Sequence, residues 1–496
     1  MNESLVADDS LTRALYGLII CRLDGTFLNS AKKRQEYIDL TKSGIAGFLL
    51  FGGKRKEIKD FIAEVQRYAY YPLLIASDVE KGTGQQVQGT TVFPCQMAVS
   101  AAFYKRDGND ARDIRLLLKS ICSEAADVGI NMPLIPVVDV NTNPLNPIIC
   151  NRAFSDDPEK TAWYSRLYIE AIKETGLISC AKHFPGHGST QSDSHLTLPV
   201  INKTLDELNE VELIPFKYAI DAEVDSIMVG HLSLPLIDSL PATVSEEIVT
   251  NLLRNTLSFD GLILTDALNM DALKGIESVH TKCINAGADI LLHPVSVVRA
   301  VSELNDSIET GALKVERVYE SFKRVLNLRK KLKTAGTDFV DYKSHDDLSH
   351  RLFEKSITLV KGDLSSSFME KTCDVKFIYL GGFSSRILLY TLFGGNNIMD
   401  KPFIDGKRVV AAIYTSVSAF SKNFCVSDME IRSLKRIIKR AGHTTVISFG
   451  NPYVLKHFEE ADVLIAAYDT SEKAEMAVLR CLMGETPMEG CLPVKL

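Results

Sequence analysis

The sequence predicts an α/β protein, a (β/α)8 TIM-type barrel followed by a smaller α/β sandwich domain. Three observations lead there. The chain has 496 residues, more than one hydrophobic core usually organises. Short apolar runs recur along its first two thirds with helical patterns between them, the alternation expected of βα units. A polar, aperiodic stretch at 336–347, GTDFVDYKSHDD, then separates these units from a second group of apolar runs.

In chain order, the buried parallel strands are expected at 16–22, 47–51, 73–77, 132–138, 177–181, 225–229, 262–265 and 289–292. Eight units in about 330 residues fit a barrel with insertions, and such a barrel places its chemistry at the C-terminal ends of the strands. Residues 1–335 form this catalytic domain and end in a basic helix, 315–333; residues 336–347 are the linker. The second domain, 348–496, has apolar runs at 357–360, 375–380, 409–414, 445–449 and 463–467, with an amphipathic helix at 428–440, the pattern of a smaller α/β sheet.

Composition narrows the function. Hydrophobic residues at 46% and charged residues at 24% describe an ordinary globular protein, and no apolar run reaches the roughly 20 residues that span a bilayer. No membrane partner is expected. The opening segment carries acids ahead of its apolar stretch and has no basic n-region or cleavage site, so the expectation is cytoplasmic residence. The ten cysteines are scattered without CxxC pairs, which favours reduced structural thiols over disulfides or zinc. A net charge of −7 without a long basic run argues against a nucleic-acid partner and favours a neutral or small substrate. Oligomeric state leaves no trace in the sequence.

Ionisable residues gather just past the predicted strand ends: Asp78, Asp139, Lys182 with His183, His231, Asp266 and His293. The densest segment is KHFPGHG at 182–188 followed by DSHLTLP at 193–199. Pro185, Gly186 and Gly188 forbid a regular helix, so His183 and His187 cannot form a helical metal pair. In an extended loop Asp193 and His195 can point to one side, where the carboxylate orients the imidazole and stabilises its charge. That pair can shuttle a proton. The plainer reading, histidines that only satisfy hydrogen bonds at the strand ends, accounts less well for four titratable side chains in one Gly-Pro loop. The second segment, GLILTDALNM at 261–270, is an apolar strand that ends in Asp266. By itself such an Asp fits a helix N-cap as well as a nucleophile.

KHFPGHG followed by DSH resembles the signature of glycoside hydrolase family 3, in its β-N-acetylglucosaminidase subgroup of the peptidoglycan-recycling type. The resemblance implies that His195 is the general acid/base, that Asp193 orients it, and that Lys182 and His183 bind sugar hydroxyls. GLILTDALNM resembles the family's nucleophile strand, SDDLxM, which makes Asp266 the nucleophile and Ala267 a departure from the second Asp. The segments at 138–144 and 151–158 resemble DVNxNP and RSFxxDP, and the latter gives Arg152 a sugar-binding role. Asp78 falls in a segment similar to DxEGG, as a ligand of the sugar's far hydroxyls, although extra residues follow and the usual Arg is absent. His231 matches a strand-end His of the family. SFGNPY at 448–453 and GCLPV at 490–494 resemble its C-terminal α/β domain.

The activity implied is hydrolysis of terminal β-linked N-acetylglucosamine (GlcNAc) with retention of configuration, without metal or organic cofactor. Asp266 attacks while His195 protonates the leaving sugar, and His195 then deprotonates the water that releases the glycosyl-enzyme. Three alternatives stand beside it. They are a β-glucosidase of the same family, a phosphorylase using phosphate as acceptor, and a carbohydrate-binding scaffold without turnover.

Overall fold

A computed structural model describes residues 3–192, 197–332, 339–363, 375–381, 389, 396–398, 404–417 and 424–496. The chain divides into two compact units that are not contiguous in sequence. The first comprises residues 1–92, 112–140 and 158–342, the second residues 93–111, 141–157 and 343–496.

Eight strands are described in the first unit: β1 (Ile19–Asp24), β2 (Gly47–Phe51), β3 (Leu74–Ser77), β4 (Met132–Pro133), β5 (Cys180–Phe184), β6 (Ser226–Val229), β7 (Leu262–Thr265) and β8 (Leu291–Leu292). All the ladders are parallel, in two partial sheets, β4-β3-β2-β1-β8 and β5-β6-β7. Between the sheets the contacts are shorter. Val137 bridges Lys182, with Val138 N donating to Lys182 O at 2.7 Å, and Leu264 bridges Ile290, with Thr265 N donating to Ile290 O at 3.0 Å. Pro133 and Pro136 lack an N–H, which keeps β4 from extending a regular ladder over the expected 132–138.

Several boundaries differ from the sequence reading, those of β1 and β5 among them. Tyr16 belongs to the first helix, Glu3–Tyr16, and β1 begins three residues later. Strand β5 starts at Cys180 rather than at residue 177 and continues through Lys182 and His183. Its position is set by pairing Cys180 with Ser226 and Ala181 with Ile227, and backbone hydrogen bonding is indifferent to the polar side chains that end the apolar run.

Side chains alternate along each strand, and one parity fills the interior: Ile20, Leu49, Leu74, Ala76, Met132, Cys180, Met228, Leu262, Leu264 and Leu292 form a buried cluster. Close packing reaches the backbone at Gly47, where an added Cβ would lie 1.8 Å from Leu74 O. Acids at the N-terminal ends of strands are enclosed. Asp289 is 0% exposed, accepts from Arg254 Nη2 at 2.8 Å and Ser321 Oγ at 2.7 Å, and has Arg317 and Arg324 within 3.4 Å.

The second unit is built on a sheet ordered β11-β10-β12-β13-β14-β9, with β9 (Thr358–Lys361) antiparallel to β14 (Val463–Ala466) and the other ladders parallel. The remaining strands are β10 (Val375–Gly381), β11 (Asn396–Asn397), β12 (Arg408–Tyr414) and β13 (His443–Phe449). Helix Asp428–Arg440 occupies the expected residues because local chemistry fixes both ends. Ser427 and Glu430 form a capping box, Lys439 and Arg440 sit in the last turn, and Leu434, Ile437 and Ile438 are buried. Helix Tyr342–Ser356 takes up the second half of the stretch expected as linker. Segments 93–111 and 141–157 also pack in this unit. Asn141 Nδ2 donates to Tyr453 Oη at 2.9 Å, Asn151 Nδ2 to Tyr468 O at 2.8 Å, and Ser155 Oγ to Pro493 O at 2.6 Å. Among the described residues, no helix is long and apolar enough to cross a membrane.

Candidate active site

The interior parity of the first unit, continued two residues past its top apolar layer, turns polar. Ala76 is followed by Asp78, Cys180 by Lys182 and Leu264 by Asp266. Alternation therefore aims these side chains toward the C-terminal ends of the strands, where parallel α/β sheets carry their ligands.

Lys182 is 1% exposed, and a buried ammonium needs anionic partners. It has two: Nζ donates to Asp78 Oδ1 at 2.6 Å and lies 2.8 Å from Glu80 Oε1. Glu80 is enclosed, whereas the Asp78 side chain keeps 30% of its exposure. The trio thus leaves its unneutralised polarity on the Asp78 side, a donor–acceptor surface suited to hydroxyl groups.

Next along β5, His183 Nδ1 lies 2.8 Å from Asp139 Oδ2; the carboxylate accepts, so Nδ1 carries the proton and Nε2 is the ring's outward nitrogen. Asp139 is completely buried and also accepts from the backbone N–H of His187 at 2.6 Å and of His183 at 3.3 Å. Burial pushes this carboxyl up, but the His183 charge and these hydrogen bonds outweigh it and hold the carboxyl below its usual range. The loop closes tightly to deliver the second N–H: Gly186 N donates to His183 O at 2.8 Å, and Gly186 has φ +128°, which favours glycine. His187 is fixed in turn by Thr190 Oγ1, 2.9 Å from Nδ1.

At the end of β7, Asp266 N donates to Val229 O at 2.9 Å and Asp266 Oδ1 accepts from Ala267 N at 2.7 Å, which orients the partly exposed carboxylate. His231, 0% exposed, supports the same turn: Nε2 donates to Ala267 O at 3.1 Å and Nδ1 is 2.7 Å from Thr243 Oγ1. Ala267 thus serves the site through its backbone, which tolerates a residue without a carboxylate there. His293, just after β8, lies 6.3 Å from the Phe51 ring; burial, aided by the Arg22 charge, lowers its pKa to about 4.

Of the residues expected from sequence, the structure brings Asp78, Lys182, His183, His231 and Asp266 to strand ends of the first unit. Arg152 belongs to the second unit, at the end of the 3-10 turn Cys150–Arg152, where Nη1 donates to Ile148 O at 2.8 Å and its carbonyl accepts from Gln96 Nε2 at 2.9 Å. Asp193 and His195 lie outside the described residues. Asp139, Glu80 and Thr243 were given no role from sequence. Asp139 stood at a predicted strand end and could have been singled out, but nothing local marks Glu80 or Thr243 as partners of residues more than ten positions away.

Residues 16–328 match the family model described as glycosyl hydrolase family 3 N terminal domain. Beta-hexosaminidase A of Pseudoalteromonas piscicida is 30% identical over 366 residues, 65% of this chain and 60% of that protein, so this chain spans about three fifths of that relative. A beta-N-acetylglucosaminidase/beta-glucosidase of Cellulomonas fimi is 26% identical over 524 residues, covering 92% of this chain and 90% of that protein. The solved structure of a glycoside hydrolase family 3 beta-N-acetylglucosaminidase from Paenibacillus sp. str. FPU-7 has a TM-score of 0.82 at 25% identity, over 98% of this chain and 99% of that one. The family match covers well over half of the chain, including every strand end that carries Asp78, Lys182 and Asp266; the chain belongs to glycosyl hydrolase family 3.

Proposed function

We propose that this protein is a retaining, exo-acting β-N-acetylglucosaminidase that removes terminal β-linked GlcNAc from peptidoglycan-derived fragments. The observation that carries the reading is Asp266, a strand-end carboxylate oriented by its neighbour's amide on the parity that also presents Asp78 and Lys182. Asp266 attacks the anomeric carbon, and the bond to the leaving sugar breaks as His195, held by Asp193, protonates the departing oxygen. In the second half-reaction His195 takes a proton from water, whose oxygen displaces Asp266 and restores the β configuration. Asp78, Lys182 and His183 hold the sugar hydroxyls and His231 keeps the turn beneath Asp266 in place; for Arg152 a sugar-binding role is what its motif implies.

The same reading completes the architecture. The two partial sheets close through the bridges at Val137 and Leu264 into a (β/α)8 barrel; the catalytic domain, expected over 1–335, is the first unit without segments 93–111 and 141–157, which go with the domain expected over 348–496; and the protein works in the cytoplasm. Because an imidazole acid/base does not repel an incoming phosphate as a carboxylate would, phosphorolysis is the reaction to exclude. Turnover of aryl glycosides of GlcNAc, glucose and xylose, with and without phosphate, tests both choices. Preferential release of GlcNAc with unchanged products in phosphate supports the proposal; a sugar 1-phosphate, or a preference for glucose, refutes it.

A further inference from the structure

Two further inward-facing positions reach the strand ends of the first unit beside those already described. Ile20 is followed on its parity by Arg22, and Leu49 by Phe51. The neighbours of Arg22 on the strand are buried, Cys21 at 4% and Leu23 at 0%, yet the Arg22 side chain is 44% exposed. Its guanidinium lies over the Phe51 ring, with Cζ 4.4 Å from the centroid, and the other neighbour of that ring is His293. Nη2 donates to Asp24 Oδ2 at 2.9 Å, while Asp24 Oδ1 is taken by the amide and hydroxyl of Thr26 at 3.1 and 2.6 Å. Phe51 supports the guanidinium from one side and Asp24 holds one edge.

The two cations on this face are held differently. Lys182 is enclosed by two carboxylates, whereas Arg22 is solvent-facing beside one carboxylate whose second oxygen is already bonded. His293, with its pKa near 4, is neutral at physiological pH and adds no competing positive charge. In a chain with a net charge of −7 an anion gains nothing from the overall field, so recognition has to be local. A planar, pre-oriented guanidinium is matched to the two oxygens of a carboxylate or phosphate.

We propose that Arg22, stacked on Phe51 and steadied by Asp24, is an oxyanion-recognition residue of the strand-end site and selects ligands carrying a carboxylate or phosphate beside the glycone. The inference rests on the glycosidase reading for the position of the sugar. The oxyanion has two possible sources, an acidic group on the leaving portion of the substrate or inorganic phosphate.

The test is calorimetric binding to the full chain of phenyl and 4-carboxyphenyl 1-thio-β-N-acetylglucosaminides, which resist cleavage, and of inorganic phosphate alone. Wild type is compared with Arg22→Met and Arg22→Lys, each checked for an unchanged Tm. The expected result is that wild type prefers the carboxylated glycoside and that Arg22→Met weakens it about 10- to 100-fold, with a several-fold smaller loss on the phenyl compound. Arg22→Lys, which keeps the charge and loses the fork, should fall between. Phosphate competing with the carboxylated ligand in wild type but not in Arg22→Met identifies phosphate as an occupant; its failure to compete assigns the site to the substrate's own acid. Equal losses on both thioglycosides, or wild type with no preference between them, overturn the proposal. If neither thioglycoside binds wild type while phosphate binds in an Arg22-dependent way, the sugar reading falls and the oxyanion site stands; if phosphate does not bind either, the site falls as well.

Discussion

Replacing Asp139 with Asn removes the buried charge that organises the His183 loop while keeping the side chain's shape. The native carboxylate accepts from His183 Nδ1 at 2.8 Å, from His187 N at 2.6 Å and from His183 N at 3.3 Å, with no exposure to water. An amide offers one acceptor oxygen in place of two: turned to His183 it sets its NH2 against the His187 N–H, and turned to His187 it needs the His183 ring proton to move from Nδ1 to Nε2, so the native donor set is lost either way at a cost of about 1–3 kcal/mol. Loss of the charge beside a buried imidazole raises the total to about 2–4 kcal/mol, toward the cost of breaking a buried ion pair. The sign with pH follows from linkage. The folded-state pKa of Asp139 is held below its ordinary 3.8, so the wild-type advantage is fully present above the unfolded value and is lost as pH falls through the folded one. Denaturant unfolding read by Trp163, the chain's single tryptophan and part of the first unit, should show a constant penalty from about pH 5 to 7 that narrows below about pH 4. With an aryl GlcNAc substrate kcat/KM should fall roughly 10- to 100-fold, and adding His183→Ala should cost little more, because the two residues act as one unit. A stability loss below about 1 kcal/mol, a penalty that widens toward acid pH, or full additivity with His183→Ala would refute the reasoning.

Asp266→Asn should lower turnover by roughly 1,000-fold or more without moving the unfolding midpoint, and a 2-deoxy-2-fluoro glycosyl label mapped by peptide sequencing should sit on Asp266 in the wild type; a label elsewhere removes it as nucleophile. Asp78→Ala and Arg152→Ala should each reduce kcat/KM about 10- to 100-fold through lost hydroxyl contacts, and wild-type kinetics in either would make that residue a structural group. His195→Ala should lose much of its rate on natural disaccharides yet keep faster glycosyl-enzyme formation from a dinitrophenyl glycoside, with Asp193→Ala milder and the double mutant little worse; uniform loss across leaving groups would move the proton transfer elsewhere. For His293 the folded pKa near 4 lies below the ordinary 6.5, so the unfolded chain binds more protons between these values and stability rises with pH across that window. After discounting for its partial exposure, His293 should account for about 1–2 kcal/mol of the stability lost between pH 7 and 5, and that portion should vanish in His293→Asn.

Much of the framework was legible because buried parallel strands write themselves as apolar runs. Strands β2 and β7 and helix Asp428–Arg440 occupy the expected residues. The misplacement of β5 is instructive: hydrophobicity stops at Ala181, whereas the ladder runs on through Lys182 and His183, whose polar side chains face the site. The polarity of those side chains is what hid the strand's end from an apolar pattern. Segments 93–111 and 141–157 could not have been assigned to the second unit from sequence, since their partners Tyr453, Tyr468 and Pro493 are more than 300 positions from Asn141, Asn151 and Ser155. The motif resemblance pointed to Asp266, Asp78 and Lys182, which lie at strand ends, whereas the pairing of Glu80 with Lys182 and of Asp139 with His183 enters only through distances. The Asp193–His195 pair rests on its motif alone.

The distribution of acids along the strands separates support from chemistry without reference to motif. Asp225 and Asp289 stand at the N-terminal ends of β6 and β8, each buried and each already bonded to a cation and to a serine hydroxyl or amide. Asp289 alone gathers three arginines from two helical segments, which ties those segments to the sheet. Asp78 and Asp266, at the opposite ends, keep part of their side chains open to solvent and are oriented by groups that do not enclose them, Lys182 Nζ and the Ala267 amide. A carboxylate with a filled coordination sphere contributes stability and has no capacity left for a ligand. One that is oriented yet partly open to solvent can exchange water for a ligand's hydroxyl. That difference in saturation separates the two sets of acids: those at the N-terminal ends brace the strands, and on the proposed reading those at the C-terminal ends meet the substrate.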